Sequence, residues 1–173
     1  IYVYYRGQKI GYRRICVKDN EVILLRTDMK FDGKMIHNIR LIHQETEGSC
    51  WAAASLMVLD YYGTKSGKLP SQIELAREIG SEKYYYNGLG DVKAWKNVME
   101  ELGNLELDLD YHLTFEEVMN EIDQKHPIII FENYGLLEGH TAVIVGYIDE
   151  PGTKSDKVII YDPGGLGPSI RVL

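Results

Sequence analysis

The sequence predicts an α+β fold, and three observations lead there. Short runs rich in Val, Ile, Leu and Tyr fill residues 1–43, parted by turn-forming residues. Helix signals then dominate as far as Pro127. Two strands joined by a polar loop close the chain. Strands and helices thus come in blocks instead of alternating, which indicates helices segregated on an antiparallel sheet and not a parallel α/β fold.

Taken in order, Ile1–Tyr5, Lys9–Val17, Glu21–Arg26 and Met35–Ile42 read as strands of an antiparallel meander. Arg6-Gly7, Lys18-Asp19-Asn20 and Asp32-Gly33 read as its turns, since Asp-Gly tolerates positive φ at both positions. This 1–43 module is too small to fold alone with ease, which favours docking on the rest. It is read as a pro-segment, a recognition element or added strands. The texture changes at Gln44, where the second domain, 44–173, begins. Cys50–Tyr62 is an apolar run stopped by Gly63. Ser71-Gln72-Ile73-Glu74 is a capping box, followed by the stripe Leu75, Ala76, Ile79. Asp91 caps a third helix with the stripe Val92, Trp95, Val98, Met99, Leu102. Leu105–Tyr111 alternates strictly and predicts a half-buried strand whose acidic outer face blunts a sheet edge. Thr114–Glu117 is a second capping box, opening a helix through Ile122. Ile128–Phe131, Thr141–Ile148 and Val158–Tyr161 are the remaining strands.

With 173 residues the chain can bury a core without a staple. The net charge of −7 disfavours a phosphate backbone as partner, so no nucleic acid is expected. No run approaches the ~18–20 apolar residues of a membrane helix. The chain begins at Ile1, so it reads as a processed or excised piece, and the lack of a signal peptide leaves the compartment open. Two cysteines, Cys16 and Cys50, exclude a disulfide scaffold and an all-cysteine zinc site. There is no phosphate loop, zinc helix or dinucleotide fingerprint, so no cofactor and no metal are expected. Oligomeric state is not legible.

Chemistry concentrates at Gly48-Ser49-Cys50-Trp51-Ala52, with Gln44 six residues before the cysteine. A cysteine in the first turn of a helix lies near unpaired N–H groups and the positive end of the helix dipole, which favour a thiolate. It also lies near the surface, where the helix begins. The Gln44 amide and the Cys50 N–H can converge as an oxyanion hole. A thiolate of this kind needs an imidazole and a group to orient it. His140 stands just before the strand Thr141–Ile148, and Asp162 just after Val158–Tyr161. In an antiparallel hairpin the start of one strand meets the end of the other, so topology brings His140 and Asp162 together. The alternative for Cys50 alone is a small buried hydrophobe at a helix start.

The sequence resembles papain-like cysteine peptidases in three blocks. These are Gln44 with Gly48–Ala52, then Gly139-His140-Thr141 through Gly146-Tyr147, then Val158–Pro163. Glu47 replaces the cysteine of papain's own signature, Asp162 stands for the usual Asn, and the Cys50–His140 spacing is shorter than the ~130–150 residues of papain-type enzymes. These departures resemble the compact bacterial branch, which holds bacteriocin-leader-processing peptidases and secreted papain-like effectors. Ser-Cys-Trp in place of Asp-Cys-Gly favours the stand-alone effector type, secreted or cytoplasmic, with secretion favoured. The resemblance implies a Cys50–His140–Asp162 triad, an oxyanion hole from Gln44 and the Cys50 N–H, and a protein or peptide substrate. Amidase or transglutaminase-like acyl transfer on the same triad, and an inactive binding module, are the alternatives. Trp51, Gly139 and Tyr85 are the candidate substrate-binding residues, Tyr85 within the aromatic cluster Tyr84-Tyr85-Tyr86, which reads otherwise as a packed surface loop. Cys16 is read as a lone buried thiol, because a bridge to Cys50 would abolish activity.

Overall fold

A computed structural model describes residues 2–5, 8–12, 32–89, 91–110, 112–133, 139–149, 156–165 and 167–172. They form two compact units, Ile1–Phe31 and Asp32–Leu173. In the first, β1 (Tyr2–Tyr5) and β2 (Gln8–Tyr12) pair antiparallel, with an irregularity between Val3 and Tyr4. The strand expected over Glu21–Arg26, and Cys16, lie outside the described residues.

The second unit follows in the order β3 (Asp32–Met35), α1 (Cys50–Tyr62), α2 (Gln72–Glu78), α3 (Lys83–Asn87), α4 (Val92–Leu102), α5 (Phe115–Asp123), β4 (Ile128–Asn133), β5 (Gly139–Asp149), β6 (Lys157–Tyr161) and β7 (Pro168–Val172). Helices and an antiparallel sheet occupy separate stretches of chain, an α+β architecture. The sheet is built on β5, the longest strand. One edge of β5 is shared, with β4 on its first half and β3 on its second; β6 takes the other edge and β7 pairs with β6. A bulge between Ile144 and Gly146 interrupts the β5–β6 register. The sheet curls, since Arg171 on β7 meets Glu132 on β4 with two strands between them.

α1 is the central helix. Cys50–Leu59 are all buried, and it packs on β4 and β5 on one side and on α2 and α4 on another. An apolar sequence on every face is what such a position requires. Trp51, Met57, Leu59, Val143, Val145 and Ile160 are among its core. Capping opens α2, α4 and α5 as expected. Ser71 and Thr114 each form both bonds of a capping box, and Asp91 Oδ1 accepts from Lys93 N and Ala94 N at 3.0 Å. Gly63, with φ of 79°, ends α1.

Three expectations are corrected. Asp32-Gly33 is not a turn but the start of β3, opposite Asp149 and Ile148. A Cβ on Gly33 would lie 2.6 Å from the Tyr147 carbonyl oxygen, so the glycine serves close strand approach. The strand expected over 35–42 ends at Met35. The chain then turns, and Ile36 and Ile39 enter the core three residues apart, a spacing that a strand does not give. Leu105–Asp110 joins no sheet among the described residues, so it blunts no sheet edge there. Its alternation marks one-sided packing on α4, where Leu107 N donates to Glu100 Oε1 at 2.8 Å and Lys96 Nζ donates to Leu107 O.

Candidate active site

The residues before α1 form a loop without regular structure, and its order comes from side chains. Ser49 stands at the N-cap position but does not cap α1. Its Oγ turns back, accepting from Glu45 N at 3.1 Å and Thr46 N at 2.9 Å and donating to Thr46 O at 3.1 Å. A serine that usually satisfies helix amides here spends its oxygen on the loop. The first turn of α1 also carries no acidic residue. Among the hydrogen bonds of the described residues, none uses the Cys50 N–H or the Cys50 thiol. Cys50 itself is only 4% exposed, not near the surface as the sequence suggested, because α1 is covered from its first residue.

Gln44 is held from both sides. Its N–H donates to Pro163 O at 3.1 Å, directly after Asp162. On the opposite side Gln72, from α2, donates Nε2–H to His43 O at 2.7 Å and accepts Glu45 N–H at 3.1 Å. The Gln44 side chain donates to Thr46 O at 3.0 Å and Glu47 O at 3.4 Å. Turning the amide over would face oxygen to two carbonyls, so these bonds fix its orientation. Its Oε1 is buried without a partner, beside Gly164.

The Tyr84–Tyr86 stretch, expected as a loop, forms α3 and closes against this loop. Trp51 Nε1 donates to Tyr84 O at 2.8 Å, and Thr46 Oγ1 to Tyr85 O at 2.5 Å. The Trp51 ring is buried, so its N–H is spent on α3. The Tyr85 hydroxyl donates to Glu45 Oε2 at 2.7 Å, and this carboxylate acceptor pushes the Tyr85 phenol upward from its ordinary range. Tyr86 is the exposed member of the cluster.

The other half of the site lies at one end of the sheet. Gly139 and His140 begin β5, paired with Asn133 and Glu132. His140 Nε2 is 2.8 Å from Asp162 Oδ1, which also accepts Gly164 N–H at 2.9 Å. Asp162 Oδ2 accepts from Arg171 Nη2 at 3.1 Å, and Arg171 also pairs with Glu132. The chain of contacts is therefore imidazole, carboxylate, guanidinium, carboxylate, drawn from β5, the turn after β6, β7 and β4. When a neutral imidazole donates Nε2–H to a carboxylate, its Nδ1 is left as an acceptor, which is the state of a base.

The structure thus joins His140 to Asp162 and Gln44 to the turn after Asp162, and it starts α1 at Cys50. No hydrogen bond links Cys50 to His140. Gln72, Arg171 and Glu132 escaped sequence reasoning. Gln72 had a signal: it falls three residues before Leu75 on the apolar stripe of α2, where a polar residue needs a buried partner. Arg171 and Glu132 had none, because β7 was not foreseen. Among the described residues no group of His, Cys, Asp and Glu could hold a metal ion, and no helix is long and apolar enough to cross a membrane.

No curated protein matches the chain. The model of the Peptidase_C39 like family matches residues 36–169, a span that contains Gln44, Cys50, His140 and Asp162. That is most of the chain, which makes it a relative of the papain-like cysteine peptidases and a member of the Peptidase_C39 like family.

Proposed function

We propose that the protein hydrolyses peptide bonds with Cys50 as nucleophile, His140 as base and acid, and Asp162 as the orienting carboxylate. The observation that carries this reading is the His140 Nε2–Asp162 Oδ1 bond at 2.8 Å, on a strand that packs against the helix opened by Cys50. It leaves Nδ1 to take a proton. The thiol proton passes to Nδ1, and the sulfur attacks the substrate carbonyl carbon, whose π electrons move to oxygen. The Cys50 N–H stabilises that oxyanion together with the Gln44 Nε2–H that gives up its longer bond, 3.4 Å to Glu47 O, to the substrate oxygen. As the tetrahedral species collapses, the imidazolium returns its proton to the leaving amine and a thioester remains. Water, deprotonated by the imidazole, then attacks the thioester, and the carboxylic acid product leaves with the thiol restored. Asp162 keeps the Nε2 proton in place and stabilises the cationic ring.

The test is a peptide-library digest of the full chain read by mass spectrometry, with Cys50→Ala as control. New carboxyl termini that appear only with the intact chain support hydrolysis. Amine adducts at the same carbonyls would assign acyl transfer instead, and no product would overturn enzymatic activity on peptides.

A further inference from the structure

Residue 44 shows the bonding pattern of a strand residue without belonging to a strand. In an extended chain the carbonyl of the preceding residue and the N–H of the following one face one side, while the central N–H faces the other. Here the Pro163 carbonyl takes the central N–H, and the side-chain amide of Gln72 stands where a neighbouring strand would, bonded to His43 O and Glu45 N. A primary amide is the only neutral side-chain group that offers a carbonyl acceptor and an N–H donor together. Asn would be a methylene too short to reach from the same helix. Gln72 is 2% exposed, so these bonds are made away from water, where an unmet polar group is costly. Its own position is set by the Ser71–Glu74 capping box, which fixes the first turn of α2.

We infer that Gln72 is a positioning residue for the oxyanion hole: it holds the backbone from which the Gln44 amide is presented. This rests on the peptidase reading above and deepens it. Gln72 touches neither Cys50 nor His140 in the bonds it makes, so it acts through Gln44. Losing it frees Glu45 N from one of two acceptors and His43 O from its donor. The loop then has room to drift, and a displacement of about 1 Å in an oxyanion donor costs on the order of 100-fold in rate.

The experiment uses the full chain, a peptide found in the library digest, the peptidyl aldehyde of that sequence, and iodoacetamide. Alkylation by iodoacetamide reports the thiol and its base and needs no oxyanion hole; aldehyde binding creates an oxyanion and does. For Gln72→Met, kcat is expected to fall by about 10–100-fold with KM nearly unchanged, and aldehyde affinity to fall by a like factor. Alkylation of Cys50 is expected to stay within about twofold, because Gln72 does not touch the thiol or its base. Gln44→Ala/Gln72→Met should be no slower than Gln44→Ala alone, since both act on one donor. Unchanged kcat, alkylation falling in step with turnover, or multiplying effects of the two substitutions would each overturn the inference. Gln72→Glu provides the second variant should Gln72→Met fail to fold. Its protonated carboxyl restores one acceptor and one donor, so its turnover relative to the unaltered chain must rise as pH falls; a flat ratio overturns the inference. An unaltered chain that cleaves nothing and whose Cys50 alkylates like a free thiol marks the failure of the peptidase reading itself.

Discussion

Replacing Gly48 by alanine tests whether α3 is the wall of the nucleophile loop. A Cβ at residue 48 would lie 2.2 Å from Tyr86 O, 2.3 Å from Tyr86 C and 2.7 Å from Asn87 N. All three are backbone atoms, so no rotamer change relieves the clash, and α3 and the loop must part by roughly an ångström to reach ordinary contact. The same separation stretches the Thr46–Tyr85 O and Trp51–Tyr84 O bonds, at 2.5 and 2.8 Å. Overpacking costs about 1–3 kcal/mol, and each weakened bond about 0.5–1.5 kcal/mol. The expected loss is therefore about 2–6 kcal/mol, a large share of the ~5–15 kcal/mol of a typical domain. Both tryptophans, Trp51 and Trp95, are buried in the second unit and report its unfolding. The urea midpoint should fall by about 1–2 M with an unchanged slope. Gly139→Ala is the control, because among the described residues its Cβ would meet only Glu132 O, at 3.6 Å, and should leave the midpoint in place. A Gly48→Ala midpoint equal to that of the control would refute the close packing of α3 on the loop.

Cys50→Ala should abolish peptide turnover while its urea midpoint stays near that of the unaltered chain, for the thiol makes no hydrogen bond. Arg171→Met removes a bond of about 1 kcal/mol from Asp162 Oδ2 and should lower kcat/KM by about 5–10-fold, more at low salt than at high; equal rates would show that Asp162 is oriented without it. Ser55→Ala strips the buried acceptor of Trp95 Nε1, 2.8 Å away, and should cost about 1–3 kcal/mol in urea unfolding. Asp123 is held below its ordinary carboxyl range first by Lys34 and then by the Tyr147 hydroxyl. A depressed folded value stabilises the fold above the unfolded value and is lost as pH falls through the folded one, so Asp123→Asn should flatten the acid limb of the midpoint-versus-pH curve below about pH 4; an unchanged limb would show that Asp123 is not part of the acid response.

Helices α2, α4 and α5 were legible because their ends are chemical. Ser71, Asp91 and Thr114 accept the backbone donors that their positions promise. The β5–β6 hairpin was legible from apolar runs, and with it the meeting of His140 and Asp162. What failed is instructive in physical terms. Asp32-Gly33 satisfies turn chemistry and close strand packing equally well, and only the Tyr147 carbonyl decides between them. Leu105–Asp110 alternates because one side packs on α4, and alternation records burial without naming the hydrogen-bond partner. β7 alternates too weakly to be read: its sequence is short, its edge is exposed, and its one informative residue, Arg171, acts through carboxylates far along the chain. Tyr84–Tyr86 carries poor helix signals, and its structure comes from the loop it packs on.

The loop from His43 to Ser49 shows how so irregular a segment can be held in place ahead of Cys50. Its polar backbone groups are met one after another by Pro163 O, by the amides of Gln72 and Gln44 and by Ser49 Oγ. These partners come from α2, from the turn after β6 and from the loop itself, so the loop cannot move without disturbing the Asp162 turn. Cys50 differs. Its N–H has no partner among the described residues, and the serine that could have capped the helix is turned away. A helix start leaves its first N–H groups without an intrahelical partner, and no side chain takes this one. In the proposed chemistry it is the donor that meets the substrate oxygen as charge develops there. On that proposal the ordered loop and the unpartnered Cys50 N–H have one cause: the partners hold the loop still and leave that N–H to the substrate oxygen.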